Sequence, residues 1–293
     1  MPARLFYWDD RCVPKVTASK SRTLALIRCS HPIPCLAVAS LAAMFAFANG
    51  LDIALTAVVF AAVLLQQISV GLSNDWLDYK IDKVANRVDK PTVSGLVKVS
   101  WLRAGSLTAA GLAEIVAILL GGPAAIVMLL MLVFGWSYNL GMKSNWSSVI
   151  PYALGFGTVP IFVGLAAADP RWVPAWVAIV SALLGISAHF ANVLPDFAAD
   201  KLTGVNALPH ILGQKISAIV IAGTALLATS IIVTQSTQLA APIAAVGVVV
   251  TVLLSGSASL LSLRPRPPRI VFPLLMLAAL TNVILLVLGI RAS

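Results

Sequence analysis

The sequence predicts an all-α polytopic membrane protein with nine transmembrane helices and a cytoplasmic N-terminus. Of its 293 residues, 59% are hydrophobic and only 11% are charged, a composition that soluble globular domains do not have. Nine apolar segments are long enough to cross a bilayer. Eighteen of the 20 Lys and Arg residues fall on one side when the N-terminus is placed in the cytoplasm, as the positive-inside rule requires.

The nine apolar segments are separated by turn-forming or polar residues. Their content of Gly, Pro, Asn and Asp indicates tight turns at four short breaks, namely Asn49-Gly50, Gly121-Gly122-Pro123, Asp169-Pro170 and Ala241-Pro242. The predicted helices are 22–48, 52–74, 99–119, 123–141, 148–168, 172–195, 213–234, 240–261 and 269–290. We expect residues 1–21 to form a cytoplasmic N-terminal arm and residues 22–293 to form one integral membrane domain.

The net charge of +9 is explained by its distribution across the membrane. Only Arg171 and Arg291 lie away from the predicted cytoplasmic side. Basic residues on that side are attracted to the anionic lipids of the inner leaflet. We therefore expect the lipid bilayer to be the partner of this charge, and no nucleic acid is needed to explain it.

Thiol and imidazole groups form no recognisable motif. The chain contains three cysteines and three histidines: Cys12, Cys29, Cys35, His31, His189 and His210. The cysteines include no CxxC pair, which favours neither a disulfide framework nor a zinc site, and their odd number implies a free thiol. The histidines are scattered, and we interpret them as structural.

A cluster of carboxylates follows the second predicted helix. The chain has only 11 acidic residues, yet Asp75, Asp78 and Asp82 fall within eight positions, directly after Asn74. On a helix, spacings of three and four place these carboxylates on one face. Left without a counterion, they would repel one another and would be costly to remove from water. The pattern indicates a divalent cation with oxygen ligands; the simpler alternative is a helix end with solvated or capping carboxylates.

The same spacing recurs 118 residues later in the chain. The second set repeats the intervals of Asn74, Asp78, Asp82 and Lys83, with Asn192, Asp196, Asp200 and Lys201. Four predicted helices separate the two sets, so the helices that carry them run parallel and both open toward the cytoplasm. This arrangement predicts a parallel internal duplication, with motifs at 74–82 and 192–200.

Two carboxylate clusters flanked by basic residues suit a diphosphate bridged by Mg²⁺, which commonly binds through one or two carboxylates and substrate phosphate oxygens. A third polar cluster, residues 138–143, ends the fourth predicted helix on the same side. An apolar cavity within the bilayer suits a hydrocarbon tail, so the expected ligand is an isoprenyl diphosphate. The sequence has no P-loop, no GxGxxG and no Ser/His/Asp arrangement that would favour other chemistry.

With these motifs, the chain resembles the UbiA superfamily of intramembrane prenyltransferases. The resemblance is carried by Asn74-Asp75-x-x-Asp78-x-x-x-Asp82, Arg87-x-x-Lys90-Pro91, Ser94-Gly95 and Asp196-x-x-x-Asp200. It implies a helix bundle around a central cavity that opens laterally to lipid, and dependence on Mg²⁺. It also implies transfer of a prenyl group to an aromatic or other lipophilic acceptor, in the plasma membrane, with the active site facing the cytoplasm.

The resemblance also implies roles for individual residues. The implied metal ligands are Asn74, Asp75, Asp78, Asp82, Asn192, Asp196 and Asp200. The residues implied to bind the diphosphate are Arg87, Lys90, Lys143 and Lys201. Tyr138 would face the reacting carbon, where an aromatic ring stabilises a cation, and with Asp75 and Asp196 it completes the implied catalytic set. Arg28 is the candidate for binding the acceptor. Its position is also explained by an arginine at the membrane interface that follows only the positive-inside rule.

Two residues depart from the pattern of the superfamily. Lys90-Pro91 stands where Arg-Pro is usual. A lysine keeps the positive charge but cannot make the bidentate hydrogen bonds of a guanidinium group. The spacing from Tyr138 to Lys143 is one residue longer than is common. The role implied for Lys143 therefore depends on how the intervening chain folds.

Two other functions fit the same residues. A membrane terpene cyclase would ionise the same substrate and let the double bonds of the prenyl chain capture the cation without an acceptor. A cation transporter or lipid-binding membrane protein would use the carboxylates for ions without chemistry.

Overall fold

The computed structural model describes residues 22–193, 206–264, 268 and 270–290. Helices account for most of this part of the chain, and it contains no strand. The α-helices are α1 Arg22–Cys29, α2 Pro32–Ala48, α3 Ile53–Val84, α4 Val99–Leu120, α5 Gly122–Leu140, α6 Val149–Leu165, α7 Ala175–Val193, α8 Leu208–Gln235, α9 Ala241–Ser262 and α10 Val271–Gly289.

The helices confirm a multi-pass integral membrane protein. Seven of the described helices are long and apolar enough to cross a membrane, and the number is eight if α1 and α2 form one bent span. The apolar stretch of α10, Pro273–Gly289, is shorter. The total of nine spans and the cytoplasmic N-terminus remain predictions.

The first predicted helix, 22–48, is wrong as a continuous element. It breaks at Ser30 and His31, and its two parts, α1 and α2, meet at 57°. Pro32 has no backbone N–H to continue the helix and disfavours helical dihedrals at the residue before it. His31, at the break, adopts a left-handed conformation with φ of 52°.

Helix α3 runs ten residues beyond its predicted end at residue 74 and contains the whole first carboxylate motif. No Gly or Pro interrupts it from Leu72 to Val84, and it ends before Asn86, which has a left-handed φ of 50°. Its 32 residues span about 48 Å, whereas the hydrocarbon core of a bilayer is about 30 Å thick. The end that carries the carboxylates is therefore long enough to project from the hydrocarbon.

Each helix packs against its neighbours in the chain, and the last helix returns to the first long helix, so the bundle is closed. Helix α10 contacts α2 as well as α7 and α9, so the last helix meets the first long one. Three buried apolar clusters fill the interior. The first is formed mainly by α2, α3, α5, α6 and α7, the second by α7 to α10, and a smaller third by residues of α1, α3 and α4 and of the loop before α4. Large apolar side chains such as Leu119, Ile126 and Leu253 remain exposed on the outside, which is typical of a surface that faces lipid.

Close packing of α6 against α7 gives a prediction about stability. A Cβ at Gly185 would lie 2.5 Å from the carbonyl oxygen of Tyr152 and 2.7 Å from Cβ of Phe156, so Gly185→Ala forces the helices apart. Such overpacking costs about 1–3 kcal/mol. We expect a lower midpoint of thermal unfolding in detergent micelles, measured by tryptophan fluorescence.

The matched control is Gly223→Ala in α8. A Cβ there has no neighbour within 4 Å, and replacing a helical Gly by Ala restricts the unfolded chain. Its midpoint should equal or exceed that of the parent protein. A Gly185→Ala midpoint as high as that of Gly223→Ala would contradict the tight contact.

Candidate functional site

The first carboxylate motif lies on the last turns of α3, at the end of the bundle. Asp75 is 1% exposed and Asp82 is 9% exposed, while Asn74 and Asp78 are half-buried. Burial of carboxylates is costly unless they are paired or bind a cation. The contacts of each carboxylate therefore indicate what the site can bind.

Asp75 is held by two basic side chains from different parts of the chain. Lys90 Nζ donates to Asp75 Oδ1 at 2.7 Å, and His31 Nε2 lies 3.1 Å from the same oxygen. Burial alone would lower the pKa of Lys90, but the hydrogen bond and the charge of Asp75 raise that pKa above its usual value. Lys90 is therefore an ammonium ion at neutral pH, placed directly on the motif.

The loop after α3 folds back to deliver Lys90. The backbone N–H of Arg87 donates to the carbonyl oxygen of Asp82 at 2.9 Å, and Val97 N–H donates to the carbonyl of Pro91 at 3.1 Å. These bonds close the loop over the end of α3. The Lys90 side chain is only 18% exposed as a result.

His31 is a site residue that the sequence analysis missed. Its left-handed backbone at the break between α1 and α2 allows its ring to reach Asp75. The contact joins residues 44 positions apart, so no local spacing indicates it. A histidine directly before a proline inside an apolar segment was the available signal, because it marks a helix break where a polar side chain is free to turn inward.

Lys143 contacts the same motif from α5 and its following turn. Its Nζ donates to Asn74 Oδ1 at 3.0 Å and also to Asp78 Oδ1. The extra residue between Tyr138 and Lys143 is taken up where α5 ends, because Gly141 has a φ of 151° that favours glycine and Met142–Ser144 form a 3₁₀ turn. The unusual spacing therefore does not remove Lys143 from the motif.

Hydrogen bonds clamp α5 against α3 just below these contacts. Asn139 Nδ2 donates to the carbonyl oxygen of Val70 and to Ser73 Oγ, both at 2.8 Å. One turn further, Trp136 Nε1 donates to Ser69 Oγ at 3.1 Å. These bonds fix the rotation of α5 relative to α3 and so position Tyr138 and Lys143.

Tyr138 connects this region to α6 and α7. Its half-buried ring has its centroid 5.1 Å from that of Tyr152 and 5.9 Å from that of His189. Because Lys143 also contacts Asp78, the C-terminal ends of α3, α5 and α7 meet at one end of the bundle.

The remaining predicted site residues lie on other parts of the described chain or outside it. Arg87 donates both Nε and Nη2 to Asp89 at 3.0 Å on an exposed loop, and these bonds lower the pKa of Asp89. Arg28 is exposed on the last turn of α1, and Asn192 is exposed on the last turn of α7. Asp196, Asp200 and Lys201 lie outside the described residues.

A model of the UbiA prenyltransferase family matches residues 33–287. The chain belongs to this family. The UbiA fold is also seen in a UbiA homolog from Archaeoglobus fulgidus bound to GPP and Mg²⁺, which is 15% identical with a TM-score of 0.70 over 92% of this chain and all of that one. A UbiA homolog from Aeropyrum pernix K1 without ligand is 19% identical with a TM-score of 0.66, over 86% of this chain and 95% of that one.

Two curated UbiA relatives are similar over part of their length. The bacteriochlorophyll synthase 33 kDa chain of Cereibacter sphaeroides is 28% identical over 171 residues, which are 55% of this chain and 56% of the relative. Digeranylgeranylglyceryl phosphate synthase of Methanothrix thermoacetophila is 31% identical over 165 residues, which are 54% of this chain and 58% of the relative. The chain thus matches somewhat more than half the length of these relatives.

The described UbiA motif fits a Mg²⁺ ion that shares its ligands with a substrate. No group of three His, Cys, Asp or Glu side chains within the described ranges is close enough to enclose a metal. However, Mg²⁺ typically takes one or two carboxylates and completes its shell with water and phosphate oxygens. Asp82 Oδ2 is buried and has no hydrogen-bond partner among the described residues, so this oxygen fits a role in binding a cation.

Proposed function

We propose that this protein is a Mg²⁺-dependent prenyltransferase that ionises an isoprenyl diphosphate and transfers the prenyl group to an aromatic or other lipophilic acceptor. The main support for this proposal is the contact of Lys143 with Asn74 and Asp78, which lies next to the contact of Lys90 with Asp75. Cations and oxygen ligands are thus paired at one end of a membrane bundle. Family membership and the homolog that binds GPP and Mg²⁺ support the same reaction.

The first motif would hold the metal through Asn74, Asp75, Asp78 and Asp82, and the second through Asn192, Asp196 and Asp200. When bound, Mg²⁺ supplies positive charge that neutralises the diphosphate leaving group. Lys90 and Lys143 now neutralise carboxylates of the first motif. With the metal on those carboxylates, the two ammonium groups become available to the diphosphate oxygens.

Ionisation breaks the bond between the first prenyl carbon and the diphosphate oxygen, and its electron pair leaves with the diphosphate. Preplaced positive charge stabilises this transition state more than the ground state. Lys90 and Lys143 supply that charge on the first half of the site, with Arg87 and Lys201 as further contributors. The Tyr138 ring faces the carbon and stabilises its developing positive charge.

Two further observations bear on the acceptor and on the orientation of the site. Arg28 is exposed at the end of α1, two residues before the break that places His31 against Asp75, and it would meet an acidic acceptor there. The concentration of basic residues beside both motifs supports an active site that faces the cytoplasm from the plasma membrane.

The deciding experiment incubates the purified protein with geranyl, farnesyl and geranylgeranyl diphosphate and Mg²⁺. Each is tested without an acceptor, with an aromatic acceptor such as 4-hydroxybenzoate, and with a lipophilic alcohol such as a prenyl glyceryl phosphate. Products are identified by mass spectrometry. We expect a prenylated product that requires an acceptor. Cyclic hydrocarbon without an acceptor would instead indicate a terpene cyclase, and intact prenyl diphosphate under all conditions would indicate a membrane protein that binds ions without chemistry.

Removal of the metal gives a further prediction. Chelation by EDTA should reduce diphosphate release to the background rate, because Lys90 and Lys143 then remain paired with the motif carboxylates. Adding Mg²⁺ in excess of EDTA should restore the rate, as measured with a coupled diphosphate assay. Full activity in EDTA would contradict the metal requirement.

A further inference from the structure

Next to Tyr138 lies a buried polar cluster that the proposed mechanism does not use. Its centre is His189 on α7, which is fully buried at 0% exposed. Ser148 Oγ, also fully buried, lies 3.0 Å from His189 Nε2, and the backbone N–H of Leu208 donates to the same oxygen at 2.9 Å. One nitrogen of the ring is therefore bound and the orientation of the imidazole is fixed.

The other nitrogen of His189 has no such contact. His189 Nδ1 is buried and has no hydrogen-bond partner among the described residues. A buried polar atom without a partner is costly, so a ring held this firmly with one free nitrogen indicates a ligand at that position. Aromatic rings surround it: the Tyr152 centroid is 4.8 Å away at an angle of 40°, and the Tyr138 centroid is 5.9 Å away at 84°.

We propose that His189 forms the acceptor subsite and takes up the proton that the acceptor releases on prenylation. This inference rests on the proposed function, which places Tyr138 at the reacting carbon. It specifies the acceptor class as a protic nucleophile, either a hydroxyl or an electron-rich aromatic ring that loses a proton after substitution. Its polar atom would occupy the position facing Nδ1.

The atoms and electrons of the prenyl transfer balance with the acceptor, the prenyl diphosphate and His189 as the proton acceptor. The bond between the first prenyl carbon and the diphosphate breaks, and its electron pair leaves with the diphosphate. The acceptor atom then forms a bond to the cationic prenyl carbon. The acceptor proton moves to His189 Nδ1. For this, the neutral ring carries its proton on Nε2 and donates it to Ser148 Oγ, which has lone pairs for both this donor and Leu208 N–H.

One contact of the ring survives the proton transfer, because the imidazolium can still donate from Nε2 to Ser148 Oγ. The tyrosine ring centroids 4.8 and 5.9 Å away lie within the range of cation–π contacts. Among the described contacts of His189, none is with a carboxylate, so the ring is not committed to an ion pair beforehand.

The test compares His189→Gln with His189→Ala in the full-length protein. Gln retains a donor for Ser148 but cannot act as a base, so a merely structural histidine would tolerate it. With geranyl diphosphate, Mg²⁺ and the acceptor that the parent enzyme uses, we expect kcat for His189→Gln to fall at least about 100-fold, the lower bound for general-base catalysis. The KM for geranyl diphosphate should stay unchanged, and added imidazole should raise the rate of His189→Ala.

Ser187→Ala is the matched control on the same helix, since Ser187 is 1% exposed and its hydroxyl has no hydrogen-bond partner among the described residues. It should transfer at the parental rate. Parental rates in His189→Gln, or no imidazole effect on His189→Ala, would overturn the role of His189 alone. If the parent protein itself leaves geranyl diphosphate intact with every acceptor, the proposed function fails and the inference fails with it.

Discussion

The Asp75→Ala variant is expected to lose about 100- to 1,000-fold in kcat/KM for the prenyl diphosphate, the size of effect seen when one preorganised electrostatic group is removed. Asp75 is the most buried carboxylate of the first motif and holds both Lys90 and His31. Its loss removes a metal ligand and leaves a buried ammonium group without its partner. Diphosphate release at saturating Mg²⁺ measures the change.

Asp196→Ala should reduce the rate to a similar extent. Asp196 and Asp200 of the second motif lie outside the described residues, so this variant tests the duplication that the sequence predicts. One half-site cannot neutralise the diphosphate by itself if the two motifs act together. Near-normal turnover in either variant at saturating Mg²⁺ would show that the paired-site interpretation is wrong.

A distant carboxylate provides the control for both variants. The side chain of Asp169 is 91% exposed in the turn between α6 and α7, where it lies 3.9 Å from Arg171. That turn is at the opposite end of these helices from Tyr138 and His189. Asp169→Asn should retain parental activity and parental Mg²⁺ dependence, which excludes a general effect of charge removal.

Short-range patterns in the sequence were sufficient to predict much of the fold and the core of the site. Spacings of three and four along α3 put Asp75, Asp78 and Asp82 on one face without any knowledge of tertiary structure. The predicted helices 99–119, 123–141 and 240–261 match α4, α5 and α9 to within one residue at either end. Both results depend on helical periodicity and on hydrophobic length, which are local properties.

The contacts that build the site could not be predicted because they are long-range. His31 meets Asp75 across 44 positions, and Asn139 meets Ser73 across 66. The first contact depends on a helix break that hydropathy does not reveal, since the segment remains apolar on both sides of Pro32. His189 was interpreted as structural because the histidines are scattered along the sequence. Its contact with Ser148, 41 positions away, leaves no local pattern that would have indicated otherwise.

Lys143 illustrates how backbone geometry overrides residue spacing. The distance of five residues from Tyr138 departed from the superfamily pattern, which made its role uncertain by sequence. Gly141 leaves the helical conformation and the following 3₁₀ turn redirects the chain. The side chain therefore reaches Asn74 and Asp78 despite the extra residue.

Lys143→Met is expected to lower kcat about 100-fold, because it removes one of the positive charges that stabilise the leaving diphosphate. Lys215→Met is the control, since Lys215 is exposed on α8 and forms no part of the site. The rate of diphosphate release with geranyl diphosphate and Mg²⁺ gives the result. An equal loss in both variants would show that the effect comes from net charge.

A double variant distinguishes a catalytic Lys143 from one that only balances Asp78. Without Lys143, the partly buried Asp78 carboxylate has lost its partner, so the midpoint of thermal unfolding should fall. Adding Asp78→Asn removes that unpaired charge and should restore the midpoint. Activity should not recover in the double variant, because neither the metal ligand nor the charge on the diphosphate is restored. Recovery of activity together with stability would mean that Lys143 serves the fold and not the reaction.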